Sequence, residues 1–517
     1  MVSTTSVPRA PNYGFIIDNR RCIGCHACTV ACKAEHDDPI GINKTWVQYI
    51  EKGIFPATVR AFHVLRCNHC ADAPCVEICP TASLEKRVDG IVDFDPGRCI
   101  GCKACMQACP YDAITIHPDS GTATKCNYCS HRVDTGRAPA CVVVCPVEAI
   151  VSGDMNDPTT RISQILATTQ TTVRKPEKGT HPQLHYVNGD SAALTPSAAS
   201  RSTTTLWGSR LRDATDNYLA PMRPDHDARG APRRTYDIAQ RHAGSWGWKV
   251  SAYLFTKSIA AGVMLVPILF ALVAGARAPA TVWRVAVIAA LVGLALTGIL
   301  LVADLRRPTR FLWVLLRPQW RSWLVRGAYI ITGYGACLSI WYVWQPTIDG
   351  LVEQLFAALC ALLAAGTAAY SGWLFGQAKG RDLWQSPLAP LHLLLQAVLA
   401  GMATLLLIVT DSGAHAWLAG LEPIFATTLV VNASLIGLEV WGRHSTADAK
   451  RAAHLMSRGV HGRWLVLGAL IGGHGLPLCL LPFAGNASAA AAGVFALVGL
   501  LIYEHLWVDA PQRIALA

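Results

Sequence analysis

Sixteen of the chain's 19 cysteines fall between Cys22 and Cys145, in four runs of four. The first run, Cys22, Cys25, Cys28 and Cys32, is spaced C-x2-C-x2-C-x3-C; the third, Cys99, Cys102, Cys105 and Cys109, repeats it and adds Pro110. The second run (Cys67, Cys70, Cys75, Cys79, then Pro80) loosens one gap. The fourth (Cys126, Cys129, Cys141, Cys145, then Pro146) opens one gap into a loop of eleven residues. Three thiolates within seven residues can wrap three corners of a cubane, and the fourth, ahead of proline, ligates the other cluster of a pair. Four such runs supply the thiolates of four 4Fe-4S clusters with none left over. The first run carries Lys33 where the others carry proline, which leaves the ligand set intact.

Two other uses of cysteine fit less well. A disulfide framework belongs to small secreted domains in oxidising compartments. Structural zinc takes two C-x2-C pairs on separate arms and closes one tetrahedral site. Residues 1–21 are polar and hold no apolar h-region. The pair Arg20-Arg21 imitates a twin-arginine signal but runs straight into Cys22-Ile23-Gly24-Cys25, so it is expected to be a decoy.

The elements that position these runs read as a ferredoxin-like, duplicated unit. Three runs end in related tails, Cys79-Pro-Thr-Ala-Ser-Leu, Cys109-Pro-Tyr-Asp-Ala-Ile and Cys145-Pro-Val-Glu-Ala-Ile. Between the first two runs, Trp46–Ile50 and Arg60–Leu65 are expected to form a hairpin turning at Lys52-Gly53. The formal net charge is +11, of which four clusters, at about two negative charges each, offset roughly eight. The basic balance therefore does not imply nucleic acid as a partner.

Residues 12–188 resemble the four-cluster subunit of the dimethyl sulfoxide reductase and polysulfide reductase type. The likeness includes Gly153-Asp154-Met155-Asn156-Asp157-Pro158 and Lys175-Pro-Glu-Lys-Gly-Thr-His-Pro-Gln. The resemblance implies crossed ligation. Cys22, Cys25 and Cys28 would share a cluster with Cys145, and Cys126, Cys129 and Cys141 with Cys32. Cys67, Cys70 and Cys75 would pair with Cys109, and Cys99, Cys102 and Cys105 with Cys79.

From Ser251 onward the composition changes. Apolar spans run over about 251–275, 281–303, 324–344, 354–376, 388–410, 422–441, 463–483 and 488–508. Each is near the ~20 residues that cross a hydrocarbon core as helix. The even-numbered connections carry Arg306, Arg307, Arg310, Arg317, Arg321, Arg326, Lys379, Arg381, Arg443, Lys450, Arg451, Arg458 and Arg463; the odd-numbered ones carry only Arg277 and Arg284. Thirteen against two orients both termini and the cysteine-rich part toward the cytoplasm.

Residues 247–517 resemble the polysulfide reductase/NrfD-type membrane anchor. The matching stretches are Asp304-Leu-Arg-Arg-Pro-Thr-Arg-Phe311, Arg321-Ser-Trp-Leu-Val-Arg-Gly327, Tyr370-Ser-Gly-Trp-Leu and Ala510-Pro-Gln-Arg. The resemblance implies a haem-free anchor that binds quinone at the end near the iron-sulfur part, here fused to it. Ionisable residues in a span are functional candidates by default, and quinone reduction needs two protons. Tyr253, Lys257, Asp304, Arg307, Arg326, Tyr370, His392 and Glu439 are the candidate quinone-site residues. Glu504 and His505 also fall at that end, and His474 sits mid-span. Against each stands a plainer role: snorkelling or pairing for Lys257, a salt bridge to Arg307 or Arg326 for Asp304, helix contacts for His392 and His474. Cys337, Cys360 and Cys479 read as inert packing.

The expected architecture is an α+β ferredoxin-like iron-sulfur domain, a duplicated dicluster ferredoxin, over residues 1–190. A Ser/Thr/Ala/Arg-rich linker follows over 191–245, then an all-α bundle of eight transmembrane helices over 246–517. No pterin, flavin or nickel site, nucleophile elbow or nucleotide loop is apparent, so substrate chemistry is expected on a partner. By resemblance that partner is a molybdenum or tungsten bis-pterin catalytic subunit, exchanging electrons with a quinone pool (menaquinone or ubiquinone) through four 4Fe-4S clusters. A cytoplasmic face favours sulfite or formate as donor. The competing readings are an electron-transfer module of a nickel-iron hydrogenase or quinol-cytochrome complex, and a proton-translocating module.

Overall fold

The computed structural model describes residues 10–201, 230–238, 246–409, 414–483 and 485–516. It divides into two compact units, one of Met1–Ala243 with Ala515–Ala517 and one of Gly244–Ile514.

In the first unit, strands β1 (Tyr13–Asp18), β8 (Ile150–Asp154), β9 (Thr171–Thr172) and β10 (Leu184–Val187) form a sheet in the order β8-β1-β10-β9. β1 runs parallel to β10 and antiparallel to β8, and Phe15, Ile16 and Ile17 are buried at its centre. β2 (Thr45–Ile54) and β3 (Ala57–Arg66) form the expected hairpin, but longer and with a later corner. Ile54 pairs with Ala57, so the turn falls at Phe55-Pro56 and not at Lys52-Gly53. Gly53 is needed inside the strand, where its φ is +93° and a Cβ would meet Ala57 O at 2.2 Å.

Short helices carry the cysteine runs: α1 (Ala27–His36), α2 (Pro74–Ile78), α3 (Ala104–Ala108), α4 (Ser130–Val133) and α5 (Ala140–Val143). α1 packs on α5 and α2 on α3. The antiparallel ribbons β4 (Leu84–Lys86) with β5 (Val92–Phe94), and β6 (Ile114–Ile116) with β7 (Ala123–Lys125), follow the second and third runs. The repeat in the sequence is also a repeat in the backbone. Gly24 and Gly101 both have φ +70°, and His26 and Lys103 follow at 61° and 64°. In the three related tails Ala82, Asp112 and Glu148 all adopt positive φ, at 49°, 58° and 48°. Helix α6 (Arg161–Thr168), capped by Thr160, covers β8.

Part of the stretch read as linker is built into this unit. α7 (Ser191–Leu194) is capped by Asp190, and β11 (Ser200–Arg201) and β12 (Arg233–Tyr236) extend the hairpin sheet in the order β11-β12-β2-β3. The rest of that stretch, 202–229 and 239–245, lies outside the described residues.

The second unit is helical: α8 (Trp248–Ala274), α9 (Ala280–Asp304), α10 (Trp313–Leu316), α11 (Trp323–Trp344), α12 (Leu351–Gln377), α13 (Ala389–Ile408), α14 (His415–Trp441), α15 (Ala447–Ser457), α16 (Gly459–Leu480) and α17 (Asn486–Gln512). Among the described residues seven of these are long and apolar enough to cross a membrane; α11, one of the eight spans read from the sequence, is not among them. The protein is a multi-pass membrane protein. α8 lies at the centre, against α9, α12, α13 and α17. Its contact with α13 is made by facing glycines: a Cβ on Gly401 would meet Gly262 C at 2.2 Å. Residues Trp464–Gly475 of α16 wind as π-helix, a form that clusters at functional sites.

Candidate functional site

Folding brings cysteines of different runs near one another. Cys22 is acted on by Cys145 and Cys25, and Cys32 by Cys141 and Cys129. Cys109 is acted on by Cys67, and Cys105 by Cys102, Cys99 and Cys79. A cavity between the second and third runs is lined by Cys79, Cys99, Cys102 and Cys105 with apolar Ile100, Leu84, Phe94 and Ile116. All sixteen are free, and twelve are buried.

Soft thiolates brought together from two runs are the donor set that a 4Fe-4S cluster takes. The sulfurs are also served by donors. Gly101 N–H and Ala123 N–H each approach Cys99 Sγ at 3.4 Å, Ala149 N–H approaches Cys145 Sγ at 3.2 Å, and Arg66 Nη1 lies 3.0 Å from Cys141 Sγ. The left-handed residue in each tail turns backbone N–H groups onto the last cysteine, from Thr81 and Ser83 to Cys79 and from Tyr111 and Ala113 to Cys109. Burial pushes the Cys28 thiol up to about 11 and the Cys32 thiol up to about 12. Sulfurs in such surroundings hold negative charge when a cation shares it.

In the helical unit most of the candidate quinone residues fall into two clusters. Lys257, 0% exposed, donates from Nζ to Ala368 O (2.9 Å) and Ser371 Oγ (2.8 Å) and stands 4.9 Å from the centre of the Tyr370 ring. Tyr253, one turn earlier on α8, is buried with Tyr370, Ser371, Asp304 and Glu504 as its electrostatic neighbours. Glu504 Oε1 lies 3.5 Å from Ser258 Oγ, while Oε2 has no partner among the described residues.

The second cluster is a hydrogen-bonded chain. Trp507 Nε1 donates to Glu439 Oε1 at 2.7 Å, and Tyr503 Oη donates to Oε2. Glu439 Oε2 lies 3.5 Å from His392 Nδ1, and His392 Nε2 lies 3.1 Å from Asn432 Oδ1. Asn432 Nδ2 donates to His474 Nε2 at 2.8 Å, which leaves His474 Nδ1–H to donate to Ala469 O, also 2.8 Å away. His392 and Glu439 line a cavity of about 320 Å³ together with Asp382, Leu435, Leu438 and Arg443. That volume lies in the range of small-molecule sites. A narrower space is lined by His392, Glu439, Tyr503, Glu504 and Trp507.

Arg326 is not part of either cluster. It is exposed, donates from Nε to Trp320 O at 2.8 Å and stacks on Trp323 at 4.9 Å. Arg307 is half-buried at the head of the turn Pro308–Arg310. His505 is exposed, with Nδ1 3.3 Å from Ser251 Oγ. Cys337 and Cys360 are buried packing residues, whereas Cys479 is exposed. Gln396, Asn432, Ser371, Tyr503 and Trp507 complete the clusters without having been singled out. Helical spacing could have found some of them, since Gln396 is four residues from His392 and Asn432 seven from Glu439.

Comparison with known proteins bears on both units. Residues 21–84 and 59–155 each match the 4Fe-4S dicluster domain, and residues 237–512 match polysulphide reductase, NrfD. The chain is similar to a tetrathionate reductase subunit of Salmonella typhimurium, 42% identical over 199 residues, 38% of this chain and 79% of that protein. It is 39% identical over 181 residues to a polysulfide reductase chain of Wolinella succinogenes, covering 34% of this chain and 95% of the relative. The iron-sulfur subunit of the arsenate respiratory reductase of a Shewanella species is 34% identical over 224 residues, 34% of this chain and 95% of its own length.

Proposed function

The chain belongs to the polysulphide reductase NrfD family, with 4Fe-4S dicluster domains fused ahead of the membrane anchor, and from that premise we propose that it links a catalytic subunit to the membrane quinone pool. It is an iron-sulfur electron-transfer protein with its own anchor. In the proposal its sixteen cysteines hold four 4Fe-4S clusters in the crossed groups given above, over a domain of residues 1–190. The reading is carried by the cavity whose cysteines, Cys79, Cys99, Cys102 and Cys105, come from two different runs. Four thiolates around an iron-sulfur cube supply one-electron transfer.

Quinone chemistry at the anchor needs protons as well as electrons. The residues that would serve it are Tyr253, Lys257, Tyr370, His392 and Glu439, with Asp304 at the margin. His392 Nδ1 and Glu439 Oε2 share the wall of a cavity, and a proton held between them is in reach of a bound ring. Tyr503 and Trp507 fix the carboxylate, and Asn432 fixes the imidazole. Lys257, anchored on Ala368 and Ser371, offers an amine as hydrogen-bond donor in a dry environment.

The proposal takes all eight long helices as spans. α11, with 22 residues, is about 33 Å long and sufficient for the crossing. Both termini and the iron-sulfur unit then lie on the cytoplasmic side of the inner membrane, with the arginine-rich connections. The partner is a molybdenum or tungsten bis-pterin subunit, with sulfite or formate as its substrate class. Metal analysis of the complex purified through this chain tests this reading. Molybdenum or tungsten is expected; nickel or covalent haem contradicts it.

The chain Glu439–His392–Asn432–His474 favours a second reading, a module that moves protons during quinone turnover. Proteoliposomes loaded with a pH indicator decide it: a pH change across the bilayer supports it, and a flat trace during turnover removes it.

A further inference from the structure

One of the four cysteine groups is set apart by what surrounds its sulfurs. Arg66, at the end of β3, is fully buried, and its Nη1 donates to Cys141 Sγ at 3.0 Å. Its guanidinium lies 4.5 Å from the centre of the Phe15 ring, and its Nε and Nη2 have no partner among the described residues. Cys126 and, from the neighbouring group, Cys28 also act on it. A buried guanidinium without a carboxylate is costly by several kcal/mol unless something anionic neutralises it. A cluster with four thiolates, carrying about two negative charges, would do so.

Two imidazoles complete the pattern. Val92 N–H donates to His69 Nδ1 at 3.1 Å, so the ring proton sits on Nε2, which faces Cys126 Sγ at 3.7 Å. His36 Nε2 lies 3.5 Å from Cys129 Sγ. An iron-bound thiolate carries no proton, so this nitrogen must be the donor. Three of the four sulfurs in the group Cys32, Cys126, Cys129 and Cys141 therefore receive side-chain N–H bonds. By contrast, backbone N–H groups without formal charge approach Cys99 and Cys145, and a neutral hydroxyl, that of Thr180, serves Cys70. Lys86 and Lys125 also lie near cysteines, but their ammonium groups donate to the carbonyl oxygens of Cys70, Gly90, Val92 and Cys126.

Hydrogen bonds to sulfur and nearby positive charge stabilise the added electron and raise a cluster's potential. We infer that the site built from Cys32, Cys126, Cys129 and Cys141 is the electron sink of the chain, held at the highest potential of the four by Arg66, His69 and His36. These three are positioning residues that act through the thiolates. The inference rests on the crossed ligation proposed above.

The test is a redox titration followed by electron paramagnetic resonance on the intact chain in its purified complex, for the parent, Arg66→Met and His36→Leu. Cys129→Ser identifies which signal belongs to this group. The highest-potential signal should be the one altered by Cys129→Ser. In Arg66→Met its equilibrium constant for reduction should fall at least tenfold, 59 mV for a one-electron couple, with a smaller shift at the group that holds Cys28 and the remaining two signals unmoved. His36→Leu should shift the same signal downward by less. If Arg66→Met assembles no clusters, the His36→Leu arm decides. Four clusters of which a different one is highest, or whose highest signal ignores the decisive variant, overturn this inference alone. A parent protein without four cluster signals overturns the proposed function with it.

Discussion

His392 and Glu439 face each other at 3.5 Å from neighbouring helices, at the wall of a cavity otherwise lined largely by the connections that precede α13 and follow α14. One proton can be held between Nδ1 and Oε2 while Asn432 fixes the other ring nitrogen. Glu439→Gln and His392→Ala should each lower quinone-linked electron transfer by about 10²-fold or more. The cluster spectra should stay unchanged. Stopped-flow oxidation of reduced membranes by a short-chain quinone measures both, and full activity in either variant would assign that residue to packing.

Lys257 should be separable from folding. Its side chain is fully buried, and replacing a buried polar group by an apolar side chain of similar volume is commonly neutral or stabilising. Lys257→Met is expected to accumulate in membranes at parental levels while quinone turnover falls on the order of tenfold or more. Loss of abundance and activity in step would make the lysine structural.

In the proposed ligation Cys105 shares a cluster with Cys99, Cys102 and Cys79, which lie near it. Cys105→Ser should remove or convert one cluster and lower bound iron by up to about a quarter. Unchanged iron content and unchanged spectra would count against the ligand scheme.

The contact of α8 with α13 allows no side chain at Gly401, whose Cβ would sit 2.2 Å from Gly262 C. Gly401→Val should force the helices apart and destabilise the bundle by about 1–3 kcal/mol. Gly437→Val, at a position with nothing within 4 Å, is the control. Melting temperatures in detergent compare the two, and equal values would show that the close approach carries no stability.

The parts of this fold most open to reading from sequence are those whose chemistry forces neighbours in sequence to act together. Three cysteines on one loop must lie close whatever the rest does, and apolar spans must be helical in a membrane. The tails after Cys79, Cys109 and Cys145 were legible as a repeat, although their purpose, a left-handed residue that turns N–H groups to sulfur, is visible only in the backbone. Lys52-Gly53 carried a real signal with the wrong consequence. The glycine is required by its close approach to Ala57, and the corner comes later at Phe55-Pro56. Arg66, His69 and His36 left no trace of their role, because their partners lie 75, 57 and 93 residues away. Asn432 was hidden for the same reason, since it joins His392 and His474 from a third helix.

The most direct measurement reduces the purified, full-length protein with dithionite in lipid vesicles, then adds a quinone and follows iron, acid-labile sulfide and the cluster spectra. The account predicts about sixteen iron atoms per chain, with all clusters reoxidised by quinone in the parent and left reduced in Glu439→Gln. A protein without iron, or one whose reduced clusters are indifferent to quinone, would contradict it.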